Sequence, residues 1–454
     1  MKKGFCRSAL FTDLYELTMA AVYFEREMFA PATFSFFIRS YPVNRRFFVA
    51  CGVEEVLSFL ENFRFQEEEL AYLEGLRLFK PRFLEFLARL RFTGEVYAME
   101  EGTIFFAGEP LLEITAPIIE AQLIETFVIN ALCFETLIAS KAVRSVIAAK
   151  DRVVVDFSAR RTHGVDAALK VARASYLAGF SATSNTLAGK IYGIPVTGTM
   201  AHSFIESFPS EIEAFSAFAE VFPENTVLLL DTYDTLAAAR KAVQIAKKLE
   251  AQGKRLKGVR LDSGDLVELS RKVREILDAH GLDYVKIFAS GGLDEYKIAE
   301  VLAKGAPIDA FGVGTKMGVS ADAPYLDAAY KLVSYDGRPV TKLSSGKKTL
   351  AGAKQVFRRE ENGRYQEDFV GLREETLPEA TPLLKPLMKG GERCAPARSL
   401  EEVRKRVKDE LSKLPEPLKE IHPGEVFYPV HYTEKLLTLQ RQIEEEIRRK
   451  ELGL

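Results

Sequence analysis

Residues able to do chemistry recur at one kind of position along the middle of this chain, directly behind short apolar, β-branched runs. "DFSARRTHG" (156–164), "TGTMAHS" (197–203), "LLDTYDT" (229–235), "VRLDSGD" (259–265), "FASGGLDE" (288–295) and "GVGTKMG" (312–318) all have this form. His202 is one of only five histidines and is flanked by Thr197, Thr199 and Ser203. By itself it reads equally as a satisfied structural imidazole or as a reacting group whose tautomer Asp231 or Asp234 would fix. Arg160 and Arg161 could clamp a phosphate or pyrophosphate with a planar fork, or simply form surface ion pairs. Arg260 shares a loop with Asp262 and Asp265. The cation suits an anionic substrate group, and the carboxylates could hold Mg²⁺ on a polyphosphate or stabilise developing positive charge. Asp262 and Ser263 would also make a helix N-cap. Ser290, Gly291 and Gly292, then Gly312, Gly314 and Thr315, form two late glycine turns. Exposed backbone N–H groups in such turns commonly hold phosphate, although tight turns alone need the same glycines.

The elements that must position these residues follow a regular grammar from residue 150 onward. Strand candidates "RVVVDFS", "IPVTGT", "TVLLLDT", "LKGVRLD", "VKIFAS" and "IDAFGVG" alternate with helical segments. One segment carries Leu236, Val243 and Ile245 and stops at Gly253; the next carries Leu266, Leu269, Val273 and Ile276 and stops at Gly281. Successive βα units predict a closed or partly closed barrel with function at the C-terminal strand ends, and an open doubly wound sheet obeys the same grammar. Beyond the barrel, Asp336-Gly337 and Asn362-Gly363 predict hairpins. Residues 30–115 read as strands with two or three helices, and 400–414 and 432–452 as charged amphipathic helices. The expected division is an α+β domain over 1–118, an α/β barrel over 119–327, and a segment over 328–454 that packs with the first.

Composition narrows the class. With 62 basic and 64 acidic residues, nothing in the overall charge draws the chain to nucleic acid or to an anionic membrane. Cys6, Cys51, Cys133 and Cys394 are scattered without a C-x-x-C pair, which fits reducing cytosol and argues against a disulfide framework or zinc knuckle. Asp13 and Glu16 interrupt the region where a signal peptide would be apolar. The long apolar stretch 122–149 is broken by Glu125, Asn130, Glu135 and Lys141 and predicts a buried helix rather than a membrane span.

Taken in order, "TDLYELTMAAVYF", "RRFFVACGVEEVLSFL", "EGTIFFAGEPLLEI", "DFSARRTHG", "TSNTLAGKIYGIPVTGTMAHSF", "GVRLDSGDL", "FASGGLDE", "GVGTKMGVS", "DAAYKLV" and "KQVFR" resemble the nicotinate phosphoribosyltransferases. The resemblance covers most of the chain and weakens after about residue 380. It implies an irregular TIM-like (β/α) barrel joined to a mixed α+β domain built from both chain ends. The implied reaction is ATP-assisted transfer of 5-phosphoribosyl from phosphoribosyl pyrophosphate to nicotinate, giving nicotinate mononucleotide on the route to NAD. His202 then matches the histidine that ATP phosphorylates, and Tyr15 the aromatic that stacks on the pyridine ring, commonly across a homodimer interface. Thr199 and Arg260 match groups near the nicotinate carboxylate. Arg160 or Arg161, Ser290, Gly291, Gly292 and the turn from Gly312 to Thr315 match phosphate contacts. Mg²⁺ is expected to arrive with the pyrophosphate, with Asp262 and Asp265 as candidate protein ligands.

Sister activities differ at defined positions. A nicotinamide-using relative carries an Asp where this chain has Ser184 and Asn185, and a carboxylate there would repel nicotinate. Quinolinate phosphoribosyltransferases are shorter and lack the phosphorylated histidine. A barrel aldolase would need a lysine at a strand end, where only Lys286 and Lys316 come near. A non-catalytic phosphosugar-binding barrel would bind the donor without turnover.

Overall fold

The computed structural model describes residues 8–343, 349–422, 424 and 426–453. Cys6 lies outside them. The chain divides into two compact units, residues 1–140 with 325–454, and residues 141–324. The expected first boundary at 118/119 lies earlier than the observed one. The helix Glu125–Ala149 explains the difference. Its first part is tied into the first unit, where Thr136 and Ser140 accept from the backbone N–H groups of Cys51 and Val49 at 3.3 and 3.0 Å. This helix is long and apolar enough to cross a membrane, yet 72% of its most apolar window is buried in the protein.

In the first unit, strand Pro31–Ile38 lies between two antiparallel neighbours, Pro110–Pro117 and Ala328–Tyr335. Phe36 faces Tyr330 in the register, and the Phe34 and Tyr330 rings stack at 4.8 Å in the core. Lys385–Lys389 joins the same sheet beside Glu95–Ala98, so both chain ends build it. Both expected hairpins are present, with Asp336-Gly337 and Asn362-Gly363 at positive φ in their turns. Ion pairs are buried here, Arg358 with Asp368 at 2.6 Å and Lys354 with Glu113 at 3.2 Å. The charged helices of the C-terminal segment are Leu400–Lys413 and Glu434–Ile447.

The second unit is built on six parallel strands: β1 Val153–Asp156, β2 Ala182–Thr183, β3 Val227–Leu229, β4 Gly258–Leu261, β5 Lys286–Ala289 and β6 Ala310–Val313. Their order is β2-β1-β6-β5-β4-β3, a curled parallel half-barrel rather than a closed barrel. Helices intervene: α1 Val165–Leu177, α2 Thr186–Tyr192, α3 His202–Glu206, α4 Glu211–Val221, α5 Thr235–Ala251, α6 Leu266–Asp278, α7 Glu295–Ala303 and α8 Thr315–Gly318. Asp156 is in register with Thr183 and Val313, and Ala289 with Leu261, so these strand ends share one rim of the sheet. The expected strand "IPVTGT" is not a strand. Pro195 has no N–H to donate, and only Val196 forms a single parallel bridge, to Thr183. β2, which is two residues long, is too short to show a period in the sequence.

Candidate active site

The site grows from the strand ends of the half-barrel. At the end of β1, Asp156 is fully buried. It accepts from the Ser158 N–H at 2.8 Å, the Ser158 hydroxyl at 2.5 Å and the Thr183 hydroxyl at 2.7 Å. Burial raises its pKa against these hydrogen bonds. It pins the loop whose next turn, Ala159–Arg161, presents Arg160 and Arg161 to solvent. Asp156 was not singled out from the sequence; the cue was an acid ending a β-branched run.

Arg260, on β4, is largely buried, with its side chain 12% exposed. One arm donates to Thr199 Oγ1 at 2.6 Å, the other lies 3.7 Å from Asp262, and the buried Nε has no partner. Burial pulls its pKa down and Arg160 adds to that, while Asp262 and Asp231 oppose it. A guanidinium held by one arm with an unsatisfied donor suits a carboxylate or phosphate oxygen.

Asp262 accepts from the Ser290 hydroxyl, linking the loops after β4 and β5. Gly291 completes the link: it has φ +90°, and a Cβ there would lie 1.8 Å from the Asp262 carbonyl oxygen. Only glycine permits that approach. Asp231, after β3, accepts from the Asp262 N–H at 3.2 Å and from the Ser263 hydroxyl, and its buried Oδ1 has no partner. Oxygen donors suit Mg²⁺, so the unsatisfied Asp231 oxygen beside Asp262 fits that ion. Asp265, a candidate beside Asp262 for this role, caps α6 with Oδ1, which accepts from the N–H groups of Val267 and Glu268 at 2.9 and 3.1 Å. Those hydrogen bonds lower its pKa. The cap expected at Asp262 and Ser263 therefore belongs to Asp265.

His202 does not follow a strand directly; it opens the five-residue helix α3. Its Nδ1 lies 3.1 Å from the Thr232 hydroxyl. Neither carboxylate expected to orient it has that contact. Asp231 serves Asp262 and Ser263, and Asp234 caps α5 through the Ala237 N–H at 2.7 Å.

The glycine turns divide. Gly292 has φ +64° and faces open space. Gly312 is not a turn residue: it lies inside β6, where a Cβ would meet the Phe157 ring at 2.7 Å, so it is a packing glycine. Gly314 precedes α8, Thr315 is exposed, and Lys316 pairs with Asp294 at 2.7 Å, joining this turn to the one after β5. Ser184 is exposed after β2, and Asn185 caps α2 by accepting from Ala188 N–H at 3.1 Å. Tyr15 belongs to the first unit, on helix Leu14–Glu25, 49% exposed. Burial, with Glu125, Glu16 and Asp13, raises its phenol pKa. Cys133 and Cys394 are free thiols, and the buried Cys51 thiol lies 3.5 Å from Glu135 Oε2.

Three family models match in succession: the nicotinate phosphoribosyltransferase N-terminal domain over residues 10–133, the family core over 153–367, and the C-terminal domain over 375–440. A nicotinate phosphoribosyltransferase of Mycobacterium tuberculosis is 51% identical over 432 residues, covering 94% of this chain and 92% of that one. One from Bacillus subtilis is 37% identical over 481 residues, covering 97% of each. The crystal structure of human nicotinic acid phosphoribosyltransferase superposes with a TM-score of 0.85 at 29% identity, covering 95% of this chain and 99% of that one. That of nicotinate-nucleotide pyrophosphorylase from Pyrococcus furiosus gives 0.75 at 31%, covering 91% and 99%. This chain belongs to the nicotinate phosphoribosyltransferase family.

Proposed function

We propose that the protein transfers 5-phosphoribosyl from phosphoribosyl pyrophosphate to the ring nitrogen of nicotinate, releasing pyrophosphate and forming nicotinate mononucleotide for NAD synthesis. The observation that carries this reading is the half-satisfied guanidinium of Arg260, tethered to Thr199 beside Asp262, Ser290 and Gly291. Its open donors receive the carboxylate of nicotinate. As pyrophosphate leaves the anomeric carbon, the sugar gains oxocarbenium character, which nearby carboxylates stabilise. Arg160 and Arg161 neutralise the departing phosphates. Asp231 and Asp262 would hold Mg²⁺, which would supply positive charge to the leaving group. Uncharged Ser184 and Asn185 leave nicotinate's carboxylate unopposed, which favours the acid over the amide.

In this reading ATP is a co-substrate that phosphorylates His202, and its hydrolysis drives the transfer toward product. The protein works in reducing cytosol as a homodimer, in which a second copy covers the exposed Leu14, Tyr15 and Val22 and Tyr15 stacks on the pyridine ring. Incubation with nicotinate, phosphoribosyl pyrophosphate, Mg²⁺ and ATP is expected to yield mononucleotide and ADP together. Turnover of nicotinamide but not nicotinate would overturn the substrate assignment, and donor binding without turnover would favour a sensor. His202→Ala is expected to keep a slow transfer that ATP no longer accelerates; ATP coupling at the original strength would remove the phosphohistidine.

A further inference from the structure

The two nitrogens of His202 are in unlike positions. Nδ1 lies 3.1 Å from the Thr232 hydroxyl, and among the described residues no side chain hydrogen-bonds to Nε2. We propose that Thr232 is a positioning residue that holds Nδ1 and turns Nε2 outward as the nitrogen that takes the phosphoryl group. The inference rests on the phosphohistidine reading above.

Two features of the surroundings favour a defined ring orientation. His202 is the first residue of α3, where the Phe204 N–H returns to the Ala201 carbonyl at 3.1 Å and fixes the backbone under the imidazole. Thr232 stands between two residues that are themselves anchored, Asp231 on Asp262 and Ser263, and Asp234 on the first turn of α5. A hydroxyl placed between anchored neighbours constrains the ring more tightly than one on a free loop.

The chemistry explains why a hydroxyl suits this place better than a carboxylate. The Nε2 lone pair attacks the γ-phosphorus of ATP. An N–P bond forms, the P–O bond to ADP breaks, and ADP leaves with the electron pair. The ring, still carrying its Nδ1 proton, becomes cationic and then gives that proton to water. Thr232 fits both states, because a hydroxyl accepts from Nδ1–H beforehand and donates to the bare Nδ1 afterwards. A carboxylate can only accept, and would hold the proton on the ring.

The test phosphorylates the full chain with ATP and Mg²⁺ and assigns the modified nitrogen by phosphorus NMR, with the rate of phosphoenzyme formation followed separately. The expected result is phosphate on Nε2, formation about tenfold slower in Thr232→Val, and a rate within about threefold of the original in Thr232→Ser. Phosphate on Nδ1 overturns the positioning role while leaving the phosphohistidine intact, and so does a Thr232→Val rate equal to the original. If His202 takes no phosphate at all, both fall. The nitrogen assignment uses the unaltered chain, so it does not depend on the variant's folding.

Discussion

At the scale of single residues, Arg260 shows how much one side chain's surroundings decide. Its type and place behind an apolar run were legible, but the Thr199 tether and the unsatisfied Nε were not, because they depend on a loop 61 positions away. Lysine keeps the charge and loses the fork. Arg260→Lys is therefore expected to raise the KM for nicotinate roughly tenfold to a hundredfold, with little change in the KM for phosphoribosyl pyrophosphate. Steady-state kinetics with each substrate varied in turn check this; equal effects on both would detach Arg260 from the carboxylate. Asp265 marks the opposite outcome. Its spacing from Asp262 looks chemical in sequence, and only the N–H groups of α6 reveal a cap. Thr232 was invisible for a related reason, since a threonine among aspartates carries no signal until a histidine 30 positions earlier is folded against it.

At the scale of elements, the alternation of β-branched runs and helical periods was enough to foresee the parallel sheet, and five of the six strand candidates are strands. It allowed a closed or a partly closed barrel without choosing between them, because closure depends on whether edge strands meet. Here β2 has two residues and Pro195 cannot donate to a ladder. The glycines were legible as turns without their division of labour. Gly291 presses on the Asp262 backbone, whereas Gly292 faces open space at φ +64°. Gly291→Ala must displace the loop carrying Asp262, and is expected to cost at least about tenfold in kcat/KM for the donor together with roughly 2 kcal/mol of stability. Gly292→Ala meets only the left-handed backbone penalty of about 1 kcal/mol. Thermal melts and donor kinetics on the pair decide it; similar losses in both would mean that the contact with Asp262 does not set the site.

At the scale of the whole molecule, stability carries a pH dependence that can be traced to Glu16. This carboxyl is fully buried, and its pKa is raised to about 7, chiefly by burial, with Thr12 and Thr126 opposing and Glu125 and Asp13 adding. The folded chain thus holds a proton that the unfolded chain releases above the ordinary glutamate value of 4.5. The resulting stabilisation is complete below that value and is lost as pH rises to about 7. Glu16→Gln has no such slope. Its stability relative to the original is expected to improve by an amount on the order of 3 kcal/mol between those two pH values, read from paired denaturation curves. A difference that stays flat across the window would mean that Glu16 ionises normally. The division into a half-barrel and a unit made from both chain ends follows from the change of periodicity along the sequence; its boundary inside the helix Glu125–Ala149 does not, because one helical period runs through it and the polar residues along it do not mark where its partners change.

That discontinuous sheet has a consequence for synthesis. Phe36 leaves the ribosome long before Tyr330, the residue opposite it, so strand Pro31–Ile38 spends most of translation with one flank unpaired. The half-barrel draws all six of its strands from one uninterrupted stretch and can close its ladder first. A nascent chain arrested before Ala328 should resist protease over residues 141–324 while its leading segment is cut, so the newborn enzyme would rely on a holding chaperone at the end it made first.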